Sequence, residues 1–108
     1  MRMNESEFLA AAERALDEIE AAVEACDADI ETTRAGNVLT LELVDGSKII
    51  VNSQTPTRQL WIAAKSGGFH FEWSDGAWRD TRDRSELFAA LSRLVSAQGG
   101  VAVLLRAG

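Results

Sequence analysis

The stretch VLTLELVDGSKIIVN, residues 38–52, alternates apolar and polar side chains on both sides of an Asp45-Gly46-Ser47 break. A period of two is what a strand with one covered face requires, and Asp-Gly between two such runs signals a hairpin. The parity places Leu39, Leu41 and Leu43 inward and Thr40 and Glu42 outward. Past the turn, Ile49 and Val51 go in while Lys48, Ile50 and Asn52 go out. One sheet face is therefore core and the other largely polar, the pattern of an antiparallel sheet covered on one side.

Working outward, further turn signals stand at Ala35-Gly36-Asn37, Lys65 to Gly68 and Ser74-Asp75-Gly76, and short turns join antiparallel neighbours. Between them Leu60, Ile62, Phe69, Phe71 and Trp73 are expected inside, with Gln59, Trp61, Ala63, His70 and Glu72 outside. Upstream, Phe8, Ala12, Ala15, Ile19, Val23 and Cys26 recur at steps of three and four, which predicts a helix from Ser6 to about Cys26 with Ser6 as its N-cap. Downstream, Leu87, Phe88, Leu91, Leu94 and Val95 predict a second helix over Ser85 to Gln98. Asp83 with Glu86 reads as a capping box at its start, and Gly99-Gly100 ends it. The apolar tail Val101 to Leu105 is expected to lie between the helices. The whole chain, 1–108, reads as a single α+β domain, a two-layer sandwich with two helices packed on one face of a five- to six-stranded antiparallel sheet.

Composition narrows the function classes. The net charge of −6 opposes a role in gripping a nucleic-acid backbone. No apolar run approaches the length of a membrane span, and the start Met1-Arg2-Met3-Asn4-Glu5 lacks leader or transit character, so a cytoplasmic protein without membrane contact is expected. A lone Cys26 agrees with a reducing compartment. There is no P-loop, the Cys and His count excludes a Cys/His zinc site, and His70 is the only histidine available to any nucleophilic triad. An enzyme is not expected.

The charge is unevenly placed. Residues 1–31 hold ten of the 17 acids against only Arg2 and Arg14, and the remainder holds seven acids against nine bases. At 100° per residue, Glu13, Asp17, Glu20, Glu24 and Asp27 fall within an arc of roughly 80° on the first helix, clear of its apolar face. Asp29 and Glu31, on the adjoining first strand, extend the row. Like charges at this spacing destabilise a helix by roughly 0.2–0.5 kcal/mol per pair. Carboxylate oxygens suit hard cations, and a bound cation relieves the repulsion, though an open row would bind weakly and without selectivity. A solvated face accounts for the row about as well as a functional ridge, and a docking surface for a basic partner is a third reading.

A second unusual feature is Asn52-Ser53-Gln54-Thr55-Pro56-Thr57-Arg58-Gln59-Leu60-Trp61-Ile62-Ala63, whose parity sets a tryptophan and two side-chain amides on the solvent face. Exposed Trp among polar groups marks interfaces, and that reading is favoured over the plainer one in which Trp61 merely packs on Ile50 across the sheet. Here the sequence resembles the frataxin family in its bacterial CyaY form. The matching residues are Val38-Leu39-Thr40, Asp45-Gly46-Ser47-Lys48-Ile49-Ile50, Asn52-Ser53-Gln54-Thr55-Pro56, Gln59-Leu60-Trp61-Ile62-Ala63 and Gly67-Gly68-Phe69-His70-Phe71. With both helices the resemblance spans essentially the whole chain.

The resemblance implies a frataxin fold, weak binding of ferrous or ferric iron on the acidic ridge, and a role as an iron-binding accessory or regulator of iron-sulfur cluster assembly. Its implied partners are the cysteine desulfurase and the iron-sulfur scaffold protein; the chain is expected to be a monomer, with iron-driven oligomers as the alternative state. Carried over by position, the ridge is Glu20, Glu24, Asp27, Asp29 and Glu31, to which the helix arithmetic adds Glu13 and Asp17, and the partner face is Asn52, Gln54, Gln59 and Trp61. Ala21 and Ala25 stand where related ridges often carry further acids. The competing readings are a ferroxidase-like iron-storage protein and an acidic protein-docking module without metal.

Overall fold

The computed structural model describes residues 3–107. Helix α1 (Glu5–Ala25) leads into strands β1 (Glu31–Ala35), β2 (Val38–Glu42) and β3 (Lys48–Gln54). A single 3-10 turn at Thr55–Thr57 joins β3 to β4 (Gln59–Ala64), and β5 (Gly67–Ser74), β6 (Ala77–Asp80) and helix α2 (Leu87–Gly99) complete the order. The six strands form one antiparallel sheet in sequence order, β1-β2-β3-β4-β5-β6. Every neighbour in the sheet is joined by a short turn, so no crossover is needed.

Both helices cover the same sheet face. Phe8, Leu16, Ile19 and Val23 of α1 and Leu87, Leu91 and Val95 of α2 are buried against Leu39, Leu41, Ile49, Val51, Leu60, Ile62 and Phe71. Ala12, Ala15 and Ala22 on the buried stripe of α1 let that helix sit close to the sheet. The two-layer α+β sandwich of the sequence reading is the observed fold.

Several local expectations are corrected. The cap of α1 is Asn4, not Ser6: Asn4 Oδ1 accepts from the Glu7 amide at 2.8 Å and Glu7 Oε1 accepts from the Asn4 amide at 2.9 Å. This reciprocal box satisfies two free amides where Ser6 would satisfy one. Cys26 is not on the buried stripe; it is the C-cap of α1, extended and half-buried, with its Sγ–H donating to the Val23 carbonyl. The start of α2 moves to Leu87, with Glu86 as N-cap accepting from the Phe88 and Ala89 amides. Ser85 and Glu86 stay extended because Asp80 N–H donates to the Ser85 carbonyl and Glu86 bridges to Arg79 of β6. Asp83 therefore closes a turn on Ser85 instead of capping the helix.

Trp73 keeps the inward parity of Phe71 but is 40% exposed. Its ring meets the edge of Trp78, at 5.5 Å and 78°. Leu94 is half-buried at the margin of the α2 stripe. Asp29 precedes β1 instead of lying in it.

The tail returns along α2 and is held by two serines. Ser92 Oγ accepts from the Leu105 amide at 2.9 Å and donates to the Phe88 carbonyl at 2.8 Å, while Ser96 Oγ accepts from the Val103 amide at 2.8 Å. Leu105 thereby reaches the core while Val101 and Leu104 stay exposed. Ser92→Ala leaves a buried amide without an acceptor. Denaturant unfolding is expected to register a loss of about 1–3 kcal/mol, and a change below about 0.5 kcal/mol would show that the tail is not anchored through this hydroxyl.

Candidate functional site

The acidic row is a real ridge over part of its length. Glu13, Asp17 and Glu24 of α1 are exposed and Glu20 is half-buried, on a face beside the buried stripe, and Asp27 is exposed just past the end of the helix. The last turn of α1 contains no basic residue. Glu24, in that turn, therefore faces the negative end of the helix dipole, and the ridge carboxylates face one another; both effects oppose folding. The carboxylates line up instead of converging: among the described residues no group of three or more His, Cys, Asp or Glu side chains is gathered to hold a metal ion. A hydrated cation bridging neighbouring oxygens fits such a donor set; an enclosed, fully coordinated one does not.

The middle of the ridge is already partnered. Arg34 Nη1 donates to Asp17 Oδ1 at 2.9 Å and to Glu20 Oε1 at 2.7 Å. The β1–β2 register explains its position. Arg34 lies opposite Leu39 and so points to the helix side of the sheet, but at the edge strand, where it runs up beside α1 instead of into the core. Its hydrogen bond to Asp17, with the further bond to Glu20, outweighs the loss of hydration and raises the guanidinium above its ordinary pKa. The sequence reading did not single out Arg34. Its shared parity with Leu39 across the Gly36 turn was the available signal, but parity does not say which helix residues lie within reach.

The same register separates Glu31 from the rest. Glu31 pairs with Glu42 while Thr32 pairs with buried Leu41, so Glu31 belongs to the outer sheet face. Asp29 is exposed on the link between α1 and β1. Of the seven ridge candidates, the four on α1 share one surface, Asp27 and Asp29 lie on the link beyond the helix, and Glu31 faces the other side of the sheet.

The amide and tryptophan face is brought together as expected. Asn52 pairs with Trp61 and Trp61 with His70, while Gln54 pairs with Gln59. Gln54 Nε2 donates to Asn52 Oδ1 at 2.6 Å and Trp61 Nε1 donates to Gln59 Oε1 at 2.8 Å. The Trp61 ring lies flat on His70, with centroids 4.4 Å apart and planes 10° from parallel. His70 was expected only as an exposed strand residue; it is the platform that orders the tryptophan. Ile50 instead stands opposite Ala63, so Trp61 does not pack on it directly across the strand pair. The resulting surface is pre-ordered and half-exposed, the state in which an aromatic loses little entropy on binding a partner.

Comparison with known proteins adds to this geometry. The family model described as "Frataxin-like domain" matches residues 1–101. The chain is 60% identical to "Iron-sulfur cluster assembly protein CyaY" of Herminiimonas arsenicoxydans, over 96% of this chain and 97% of the relative. It is 56% identical to the protein of the same name from Cupriavidus metallidurans, over 96% and 97% respectively. Among solved structures, a frataxin from Psychromonas ingrahamii of the CyaY protein family superimposes with a TM-score of 0.87 at 34% identity, covering 94% of this chain and 97% of that one. The trimeric frataxin of Saccharomyces cerevisiae, solved in complex with ferrous iron, superimposes with a TM-score of 0.66 at 25% identity, covering 93% and 89%.

Proposed function

This chain belongs to the frataxin-like family, in the CyaY group of iron-sulfur cluster assembly proteins, and we propose that within it the chain acts by binding rather than by catalysis. In this reading the α1 ridge takes ferrous or ferric iron weakly and the Trp61 face contacts the assembly machinery, namely the cysteine desulfurase and the scaffold on which clusters form. The observation that carries the reading is the row of carboxylates on α1, Glu13 through Glu24, kept in register against mutual repulsion and, at Glu24, against the helix dipole. The ferrous complex of the yeast relative supports iron as the cargo. Iron is the ion delivered or sensed here, held by the open carboxylates and exchanged with water.

A second use of the same ridge is favoured by Arg34. Asp17 and Glu20 already accept hydrogen bonds from a guanidinium, so the arginines of a basic partner segment are a chemistry this surface is built to receive. Iron and the desulfurase would then compete for overlapping carboxylates, which makes the protein a regulator whose grip on its partner changes with iron.

Calorimetric titration of purified bacterial cysteine desulfurase, with and without ferrous iron, tests this. The wild-type protein is expected to bind, and Glu20→Lys/Glu24→Lys to bind at least about tenfold more weakly, because two charge reversals act on one docking surface. Equal affinity of wild type and variant, or no binding by the wild type in any iron condition, would remove the ridge from the partner interface.

A further inference from the structure

The end of the molecule where α2 stops gathers exposed apolar side chains. Among the described residues five large apolar side chains are well exposed, and three of them, Val44, Val101 and Leu104, border two adjoining hollows. The larger, of about 470 Å³, lies between the link after α1 and the tail at 101–104. The smaller, of about 60 Å³, is walled by Ile30, Val44 and Val101 over the buried side chains of Leu43 and Val95. Ala28, Val101 and Val103 line both, so the two make one groove. Its walls are fixed in advance. Gln98, in the last turn of α2, donates through Nε2 to Ser47 Oγ at 3.0 Å and to the Lys48 carbonyl at 3.1 Å, and accepts from the Lys65 amide at 3.0 Å. The hairpin that carries Val44 is thereby tied to the helix end, while Ser96 holds Val103 of the tail. The only charged side chains lining the groove are Asp27 and Asp29, both exposed and without an ion-pair partner among the described residues.

We propose that this groove receives a protein segment in which an aliphatic pair is flanked by lysine or arginine. Exposed apolar side chains clustered on one patch mark a surface that another molecule covers. The smaller hollow is far below the size of a metabolite pocket, and an aliphatic side chain entering an apolar groove is how short segments are commonly recognised. Because the walls are already tied together, little ordering is left to oppose binding. Contact with Val44, Val101 and Leu104 supplies the attraction, and the two aspartates select a segment with cations beside its apolar residues. The same aspartates oppose a second copy of this chain seated here about a two-fold axis, which would bring them towards their own counterparts. The groove lies beyond the helical row of carboxylates and works whether or not that row takes iron.

The probe is a capped synthetic peptide with a Leu-Val pair between paired lysines, titrated into the isotopically labelled full chain and followed by methyl and amide signals. The methyl signals of Val44, Val101 and Leu104 are expected to shift together in one saturable event. Replacing the Leu-Val pair by Ser-Ser should weaken binding by roughly tenfold or more, since the apolar contact is gone. Replacing the lysines by glutamates should weaken it by a similar factor of roughly ten, because like charges then meet Asp27 and Asp29. Gly99 gives a blocking variant that removes no native contact. It is the last residue of α2, its backbone is not left-handed, and a Cβ there would meet Leu43 Cδ1 at an ordinary 3.7 Å. Gly99 lines the smaller hollow, so Gly99→Met puts a side chain into it while raising helix propensity. Its affinity for the Leu-Val peptide should fall roughly tenfold with no loss of melting temperature. Shifts confined to Glu13 through Glu24, equal affinity for the Ser-Ser peptide, or wild-type affinity in Gly99→Met would each overturn the proposal. If the same methyl signals move with protein concentration alone, the occupant is a second copy of this chain and the proposal is equally wrong.

Discussion

Phe8→Ala is expected to lower the free energy of unfolding by about 3–5 kcal/mol, the cost of removing a buried aromatic ring and leaving most of its volume empty. Phe8 is fully buried and meets Trp78 of β6 edge-on, at 6.0 Å and 81°. The buried stripe of α1 is otherwise made of small alanines at positions 12, 15 and 22 and of Leu16, Ile19 and Val23. Few large side chains therefore hold this helix to the sheet, and Phe8 is the only aromatic one. A domain of this size is stable by about 5–15 kcal/mol, so the loss is a large share of the total. Urea unfolding followed by tryptophan fluorescence measures it, with the slope of the transition unchanged if the variant still folds in two states. A loss under about 1 kcal/mol would mean that the Phe8 site collapses without strain and that α1 is held mainly by its middle. The result matters for function because α1 carries the ridge. If its amino-terminal half detaches, Glu13 and Asp17 lose their fixed spacing from Glu20 and Glu24.

Trp61→Ala should act on binding instead. Its ring is half-buried on the outer face, stacked on His70 and tied through Nε1 to Gln59, so its removal opens no core cavity and the melting temperature should change little. For the assembly partners proposed above, truncation of a pre-ordered tryptophan at the centre of an interface commonly costs 2 kcal/mol or more, about 30-fold in affinity. Titration against the purified scaffold protein and, separately, against the cysteine desulfurase identifies which partner uses this face. Affinity within about threefold of wild type for both would mean that the Trp61–His70 stack is a sheet-surface packing feature and that docking is carried by the ridge.

Much of the candidate site was legible in the sequence, for reasons that differ between its two halves. On α1 the helical period alone placed Glu13, Asp17, Glu20 and Glu24 on one surface, because their relation depends only on 3.6 residues per turn, whereas Asp27 falls past the end of the helix, where that period no longer applies. On the sheet, period-two parity placed Asn52, Trp61, Gln54 and Gln59 on one face, and the short turns made their strands neighbours. Local competition between alternatives was harder to read. Asn4 and Ser6 are both good caps, and the reciprocal bond with Glu7 decides for Asn4. Asp83 and Glu86 have capping-box spacing, yet the bridge between Glu86 and Arg79 holds the chain extended one turn too long for that box to form.

What the amino-acid order determined by itself is the set of elements, their inward and outward faces and the carboxylate row from Glu13 to Glu24, since each follows from a repeat within one segment of chain. Only the tertiary structure decided which charges are free. Arg34 reaches Asp17 and Glu20 because an edge strand happens to pass beside α1 at that register, and Glu31 turns away from the ridge because its neighbour Thr32 faces the core side. Electrostatic partnership depends on distances of a few ångströms between segments far apart in sequence, and those distances are fixed by packing and strand register, not by any local period.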